Sequence, residues 1–510
     1  MKQNPTIDDS EIAAAARGGA ISFAGAATSA LMGFILTIVL ARALGDTGAG
    51  IVLQSIAAFT IAQSVARLGM DTAAVWLLPR LANSAPEKVR GAAVAMLIPP
   101  AVAGLIAAGG LALVAPAMQE SLGETVTDAI VAVGWFLPFG TVLMVALAAT
   151  RGLGGVVPYT LIGSIALPTI RPVAVLATAG VSAGALAGAI AWAAPVPIAL
   201  LCAVVVVWLR VRRVERPSGT TGKFIADASL QRRIWGFAAP RTISSALEQS
   251  IVWLDVMLVG AIAGASEAGV YGTASRFVTA GLIVATAVRI VVAPRFSAML
   301  DRGDIAGVQR LYTTTTTWIV YFGTPIYIGF AIFAPTVLSW FGPEFERGAT
   351  SLVILCIGCT VMLGAGNIQA LLLMSGRSGL AAANKAAVLA TNVVGNILLV
   401  PEMGMRGAAV TWAVSMILDA GLAAVQVRRI IGVRLQPTAT AYAFCAAATC
   451  AVVPSVIALT LLGQSTLAAV TAGAVSAVLL MIWCAIDRTR LGTDGLTSIV
   501  RKRNRMKGPT

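Results

Sequence analysis

An all-α polytopic membrane protein is the fold class this sequence predicts, on three observations. Hydrophobic residues fill 58% of the 510 positions and charged residues only 11%, too few to cover a soluble protein of this length. The apolar residues gather into runs of about 20, the length that crosses a bilayer as a helix at about 1.5 Å per residue. The alternation of a β-barrel is absent, which leaves helices as the spanning structure.

In chain order the runs predict about fourteen spans. They lie near 19–43, 48–68, 89–115, 125–150, 156–177, 183–208, 235–263, 270–293, 311–334, 349–374, 380–400, 406–427, 439–462 and 467–486. The segment 1–18 carries Asp8, Asp9 and Glu11 and leads into a full-length span. That is unlike a secretory leader, so the first helix is expected to stay. An internal repeat organises the rest. Gly50-Ile51 precedes a helix ending Leu78-Pro79-Arg80-Leu81, and Gly269-Val270 precedes one ending Ala293-Pro294-Arg295-Phe296. Gly188-Ala189-Ile190-Ala191-Trp192 echoes Ala408-Ala409-Val410-Thr411-Trp412. The common offset of roughly 215–220 residues predicts two pseudo-symmetric six-helix lobes. They are 19–208 and 235–434, joined by a basic linker 209–234, with two extra C-terminal helices over 435–486 and a basic tail 487–510. Glycines such as Gly180, Gly184 and Gly188 permit close helix packing.

The net charge of +14 reports topology rather than a nucleic-acid partner. With the N-terminus inside, Arg210, Arg212, Arg213, Arg216, Lys223, Arg232 and Arg233 share one cytoplasmic loop. Arg488, Arg490, Arg501, Lys502, Arg503, Arg505 and Lys507 share the cytoplasmic tail. The opposite side holds Arg42, Arg347 and Arg406 among Asp46, Glu120, Glu124, Asp128, Glu267, Glu344, Glu346 and Glu402. That is the positive-inside distribution, and it suits contact with anionic membrane lipids. Both termini are then cytoplasmic.

An ionisable side chain in hydrocarbon costs several kcal/mol unless it meets water or a partner, so each marks a candidate site. In the seventh span, Arg241, Glu248 and Asp255 recur every seven residues, within about 40° of one helix face. Such a line must face a hydrated cavity or a buried charge ladder. The second span carries Thr60, Gln63, Ser64 and Arg67 on one face, and the fifth carries Thr160, Ser164 and Arg171. Arg171 lies roughly 22 Å into a core of about 30 Å, too deep to snorkel well. The eighth span holds Arg276, and the eleventh holds Lys385, Asn392 and Asn396. An ion pair between Arg276 and Asp255 and a substrate role for them both remain open. So do a coupling-ion role and a packing role for Asp419. Arginine's permanently charged fork suits phosphate, so the surplus of arginine suggests a cavity for an anion.

No P-loop is present, and the Gly152–Gly155 turn follows no strand. Cys356 and Cys359 form a CxxC, but the chain contains no histidine and the pair reads as small packing side chains. Neither a metal nor a cofactor is expected. The outer loops are short, which argues against an external catalytic domain and against an enzyme.

Several motifs then resemble a known family. Ala41-Arg42-Ala43-Leu44-Gly45 with Gly48 and Gly50, followed by Ala66-Arg67-Leu68-Gly69-Met70-Asp71-Thr72-Ala73, is similar to the first hairpin of Wzx-type polysaccharide flippases. These belong to the multidrug/oligosaccharidyl-lipid/polysaccharide exporter superfamily. Leu254–Gly260, Gly269–Phe277 and Ala293–Ser297 resemble its seventh–eighth hairpin, and Asn392, Asn396, Pro401 and Gly404–Ala409 its eleventh–twelfth junction. The resemblance implies two lobes around a central cavity, alternating access, and a polyprenyl-pyrophosphate-linked oligosaccharide as cargo. It also implies that cavity arginines engage the anionic head, and it carries Arg276 and Asp255 by motif. Arg171, Arg241, Arg67 and Glu248 are candidates by position. Implied surroundings are a bacterial cytoplasmic membrane, with polysaccharide polymerase and glycosyltransferases as partners. Two other readings stand beside this one: a cation-coupled multidrug exporter using Glu248 and Asp255, and a non-transport scaffold for polysaccharide synthesis.

Overall fold

The computed structural model describes residues 9–179, 184–216 and 222–487, and no strand occurs among them. Residues 1–8, Gly180 and the cationic tail from Arg488 onward lie outside the described residues. The chain divides into two compact units, Met1–Gly269 and Val270–Thr510.

The first unit begins with α1 (Asp9–Ala66), which is broken at Gly45, where φ is 68° and ψ −173°. Only glycine adopts that conformation without a Cβ clash. Asp46 follows, and its Oδ1 accepts from the Thr47 N–H at 2.6 Å. A second break falls at Leu68 (φ 53°) and Gly69 (φ 66°) before α2 (Met70–Ser84). Then come α3 (Val89–Leu122), α4 (Glu124–Gly134) and α5 (Leu137–Gly152). A widened helical stretch over Tyr159–Ala166 leads into α6 (Leu167–Ala179), followed by α7 (Ala185–Ala193), α8 (Pro195–Glu215) and α9 (Ala228–Ala263). Its core joins Met70, Leu77 and Leu78 of α2 to Met96, Leu143, Val196, Val207 and Ile234.

The second unit takes in α10 (Ala265–Asp301), all but its first turn, and then α11 (Ile305–Ile332), α12 (Ala334–Ser339) and α13 (Ala349–Leu363). It ends with α14 (Ile368–Met374), α15 (Ser378–Met403), α16 (Met405–Ile430), α17 (Pro437–Leu462) and α18 (Thr466–Ile486). Phe296, Tyr312, Leu371, Leu372, Ala423 and Val427 form one of its buried cores.

Among the described residues, eleven helices are long and apolar enough to cross a membrane, or twelve if α4 and α5, bent by 49°, make one span. The sequence predicts about fourteen. The difference has two sources: the first two predicted spans lie in α1 on either side of Gly45, and α11 is diluted by the Thr313–Thr317 run and its tyrosines.

The two repeat glycines explain each other. A Cβ on Gly50 would lie 1.8 Å from the Ala265 carbonyl oxygen, and one on Gly269 would lie 2.0 Å from that of Asp46 and 2.9 Å from the Gly50 nitrogen. The start of α10 therefore packs backbone to backbone against the second half of α1, as small residues allow in membranes.

On the linker side, basic residues have specific partners. Arg90 pairs with Glu215 and lies 5.0 Å from the Trp208 ring and 4.9 Å from the Phe224 ring. Glu215 also accepts from the Gly222 N–H at 3.2 Å. Lys88 meets Asp227 at 3.0 Å, and Arg80 and Arg233 flank Trp76, whose ring stacks on Phe237 at 4.4 Å. These contacts strap residues 222–237 onto α2, α3 and α8.

Two outcomes follow. Gly50→Ala and Gly269→Ala should each lower the thermal stability of the purified protein by about 1–3 kcal/mol, whereas Gly110→Ala, with nothing within 4 Å, should be near neutral in the same melting assay. Asp227 caps α9, and hydrogen bonds from the Ser229 hydroxyl and the Leu230 N–H, then Lys88, hold its carboxyl well below the usual carboxylate range. A depressed carboxylate stabilises above its unfolded value of about 3.9 and loses that contribution as pH falls towards its folded value. Hydrogen exchange over 222–230 should therefore stay slow from neutrality to about pH 4 and accelerate below it. In Asp227→Ala it should be fast already at neutral pH.

Candidate functional site

The polar face of the second predicted span runs down the latter half of α1. Thr60 donates to the Ile56 carbonyl at 2.7 Å and Ser64 to that of Ile61 at 2.7 Å, so both hydroxyls are satisfied within the helix. Gln63 lies against α5, where a Cβ on Gly140 would come 2.7 Å from its Nε2. Arg67 stands at the break and pairs with Asp71 at 3.1 Å, each side chain less than a fifth exposed. The break is docked on α9: a Cβ on Gly69 would meet the Ala238 carbonyl oxygen at 2.2 Å and the Arg241 Cβ at 3.1 Å. Arg67 and Arg241 are thereby placed on adjoining pieces of backbone.

Along α9 the three charges spaced by seven behave differently. Arg241 and Glu248 are exposed, while Asp255 is buried at 3%. An exposed carboxylate in the middle of an apolar span cannot face lipid without a large cost. This exposure makes the Arg241–Glu248 face of α9 the candidate for a hydrated surface.

Arg171 on α6 is half-buried and committed to α7. Its Nε donates to the Trp192 carbonyl at 3.2 Å, and its guanidinium lies 4.0 Å from the Trp192 ring centroid. The reason is local: α7 ends at Ala193, so the Trp192 carbonyl belongs to the last turn, whose acceptors lack an intrahelical partner. Trp192 in turn meets Phe59 edge to face at 5.4 Å, one turn from Gln63. Arg171, Trp192, Phe59 and Gln63 thus form one chain of contacts across α6, α7 and α1. Thr160 and Ser164, predicted on the face of Arg171, pack on α1 at Gly25, where a Cβ would meet Thr160 Cγ2 at 2.2 Å.

In the second unit, α10 is anchored on α11 by Phe277, whose ring meets Phe330 at 4.9 Å, and by Tyr327, whose hydroxyl donates to the Val278 carbonyl at 2.7 Å. Arg276 is adjacent to this buried face and partly exposed. Asn392 and Asn396 are buried at 1% and 0%, and the Asn396 amide donates to the Asn392 carbonyl at 2.8 Å. Thr411 and Ser415, buried at 3% and 0%, lie on α16, and a Cβ on Gly395 would meet Thr411 Cγ2 at 2.6 Å. The two asparagines belong to an α15–α16 packing seam rather than to an open surface. Lys385 pairs with Asp419 across the same two helices at 2.7 Å.

Sequence reasoning passed over three residues. Asp71 is the partner of Arg67, one turn away, and the i, i+4 spacing of opposite charges was the available signal. Trp192 was noticed only as a repeat marker. Gln54 is fully buried, and a Cβ on Gly260 of α9 would lie 1.9 Å from its Oε1. It stands alone on its face of α1, so periodicity offered no clue.

A profile described as polysaccharide biosynthesis protein matches residues 15–300 of this chain. A probable low-salt glycan biosynthesis flippase of Haloferax volcanii, Agl15, is 24% identical over 213 residues, 40% of this chain and 44% of that protein. A putative O-antigen transporter of Shigella flexneri is 25% identical over 195 residues, 37% and 45% of the two chains. The alignments thus span less than half the length of these relatives. Among solved structures, a lipid II flippase MurJ in an inward closed conformation aligns with a TM-score of 0.71 at 12% identity, over 91% of this chain and 98% of that one. An inward-facing multidrug resistance MATE transporter of the MOP superfamily aligns at 0.58 and 13% identity, over 79% and 94%. At such identities the likeness is one of fold, and the proteins named are flippases and transporters. With its matched stretch running from α1 into α10, the chain belongs to the polysaccharide biosynthesis protein family.

Proposed function

We propose that the protein is a flippase. It carries a polyprenyl-pyrophosphate-linked oligosaccharide from the inner to the outer leaflet of a bacterial cytoplasmic membrane for cell-surface polysaccharide synthesis. In this reading both termini are cytoplasmic, about fourteen helices cross the bilayer, and lobes 19–208 and 235–434 alternate access around the linker 209–234. Helices over 435–486 stand outside the repeat. The cargo's pyrophosphate enters from the cytoplasmic leaflet and meets intramembrane arginines, while its lipid tail stays in the bilayer. Glycosyltransferases would supply the cargo and a polysaccharide polymerase would consume it.

The observation that carries the reading is the charged line on α9, with Arg241 and Glu248 exposed inside an apolar span and Arg67 beside it. Family membership, with relatives named as a glycan flippase and an O-antigen transporter, supports the direction of the reading. Arginine suits a diphosphate because its planar fork binds two oxygens at once. The candidates divide by role: Arg67, Arg241 and Arg276 for the anionic head, and Arg171 for holding the α6–α7 wall through Trp192.

Complementation of a deletion strain tests this. Arg276→Ala and Arg241→Ala should reduce surface polymer at least tenfold at unchanged membrane levels of the protein, the loss of one charge-assisted contact of about 1.5–3 kcal/mol. Arg171→Ala should also abolish transport, and Arg171→Lys should not restore it, because an ammonium cannot reproduce both the ring contact and the carbonyl bond. Full activity of Arg276→Ala and Arg241→Ala would remove the anion-binding reading. Cation-dependent dye efflux by the wild type would favour multidrug export.

A further inference from the structure

Between α8 and α9 the chain makes a connection whose backbone is held hard against the protein while two large apolar side chains stand clear of it. Gly222 and Ala226 are buried, and between them Phe224 and Ile225 are 54% and 84% exposed. The backbone is pinned at several points. Glu215 accepts from the Gly222 N–H at 3.2 Å, and a Cβ on Gly222 would lie 2.3 Å from the Glu87 carbonyl oxygen. One on Gly91 would lie 3.1 Å from the Lys223 carbonyl oxygen and 3.2 Å from the Ala226 nitrogen. Lys88 holds Asp227 at the start of α9. The exposure of Phe224 and Ile225 is therefore fixed by the packing beneath them.

Their height relative to a membrane can be read from α8. The apolar run from Pro195 to Leu209 ends at Arg210, and Trp208, a residue type that gathers at the membrane–water boundary, lies at its close. Phe224 stacks on Trp208 with ring centroids 6.0 Å apart, and the Arg90 guanidinium lies about 5 Å from both rings. α3, α8 and α9, whose ends meet here, are each long and apolar enough to cross a membrane. Phe224 and Ile225 thus stand where hydrocarbon gives way to headgroups.

Cations surround the pair in excess. Glu215 is engaged with Arg90 and the Gly222 N–H, and Asp227 with Lys88, Ser229 and Leu230. Of the acids bordering the connection Glu87 remains, on a hollow of about 350 Å³ that Lys223 also lines. Against it stand Arg212, Arg213 and Lys223, all exposed, with the Arg212 guanidinium 4.9 Å from the Trp208 ring.

We propose that residues 222–227 are a membrane anchor. Phe224 and Ile225 insert into the adjoining leaflet at the depth of Trp208, and Arg212 and Lys223 bind the phosphates of anionic phospholipids around them. The partner is a lipid surface rather than a second polypeptide. Apolar tips ringed by cations complement acyl chains beneath anionic headgroups, and at this height the pair already stands beside lipid. In the topology proposed above the leaflet is the cytoplasmic one. The anchor itself rests on the membrane class and holds whatever the protein carries. Asp227 caps α9 two residues after Ile225, so the anchor sets the height at which α9 enters the membrane, and with it the depth of Arg241 and Glu248.

The test is quenching of tryptophan fluorescence by brominated lipids, with the full-length protein in vesicles of phosphatidylcholine and phosphatidylglycerol. The emission that Ile225→Trp adds to the wild type should fall when bromine is carried near the headgroup end of the acyl chains. Iodide in the buffer should barely affect it. Phe224→Trp, which keeps an aromatic ring against Trp208, should behave alike and supplies a second reading if either variant folds poorly. Bromine confined to phosphatidylglycerol should quench more than the same fraction confined to phosphatidylcholine. Arg212→Gln and Lys223→Gln, each added to Ile225→Trp, should lower that preference about fivefold, the worth of one basic residue near an anionic surface. Added emission open to iodide and untouched by brominated lipid would overturn the proposal by placing the connection in water. Emission shielded from both quenchers would overturn it by assigning the patch to a protein contact. Equal quenching by the two brominated lipids, unmoved in the glutamine variants, would overturn the phosphate contacts.

Discussion

Inside a bilayer no water solvates a stray charge, so every ionised side chain in an apolar span must bring a partner or border a wet space. Most of this protein's polar architecture answers that demand. Arg67 pairs with Asp71 one turn on, Arg171 leans on the ring and carbonyl of Trp192, and Lys385 reaches across to Asp419. Each solution also ties structure together, because the partner lies beyond a helix break, on a second helix, or across a helix seam. α9 is the exception that directs attention to function: Arg241 and Glu248 remain exposed on an apolar helix whose deeper charge, Asp255, is buried.

Close backbone approach is the second organising device. Gly50 and Gly269, which open the two matched sequence segments, lie in mutual contact, each leaving no room for a Cβ. Gly260 does the same for Gln54, and Gly69 for the Ala238 carbonyl. α9 is therefore held along its length by the second half of α1, from the Leu68–Gly69 break to the turn before α10. A polar face carried on so tightly packed a helix is fixed in place relative to the Thr60–Arg67 stripe at the end of α1, as a binding surface requires.

Much of this was legible in the residues. Composition and run length sufficed for the membrane class, because hydrocarbon thickness admits few alternatives. Heptad spacing placed Arg241, Glu248 and Asp255 on one face, because helical periodicity is local. Partners across space were not legible. Nothing in the spacing of Lys385 and Asp419 announces contact, and Arg171 required knowledge that α7 ends beside it. The interruptions at Leu68–Gly69 and Gly364–Asn367 were hidden by apolar residues on both sides, although Gly364-Ala365-Gly366-Asn367 is a turn signal in its own right. Composition places Asn392 and Asn396 in an apolar span without saying whether water or another helix covers them.

The central claim is that this fold moves a lipid-linked saccharide between leaflets, and its most direct test is made in the cell. The protein would be depleted and polyprenyl-linked saccharides extracted, with their leaflet scored by accessibility to a membrane-impermeant sugar-modifying enzyme. The account predicts that a complete lipid-linked oligosaccharide accumulates on the cytoplasmic face while surface polymer falls. Unchanged lipid-linked pools, together with new sensitivity to cationic toxins, would contradict it and assign the arginines a structural role.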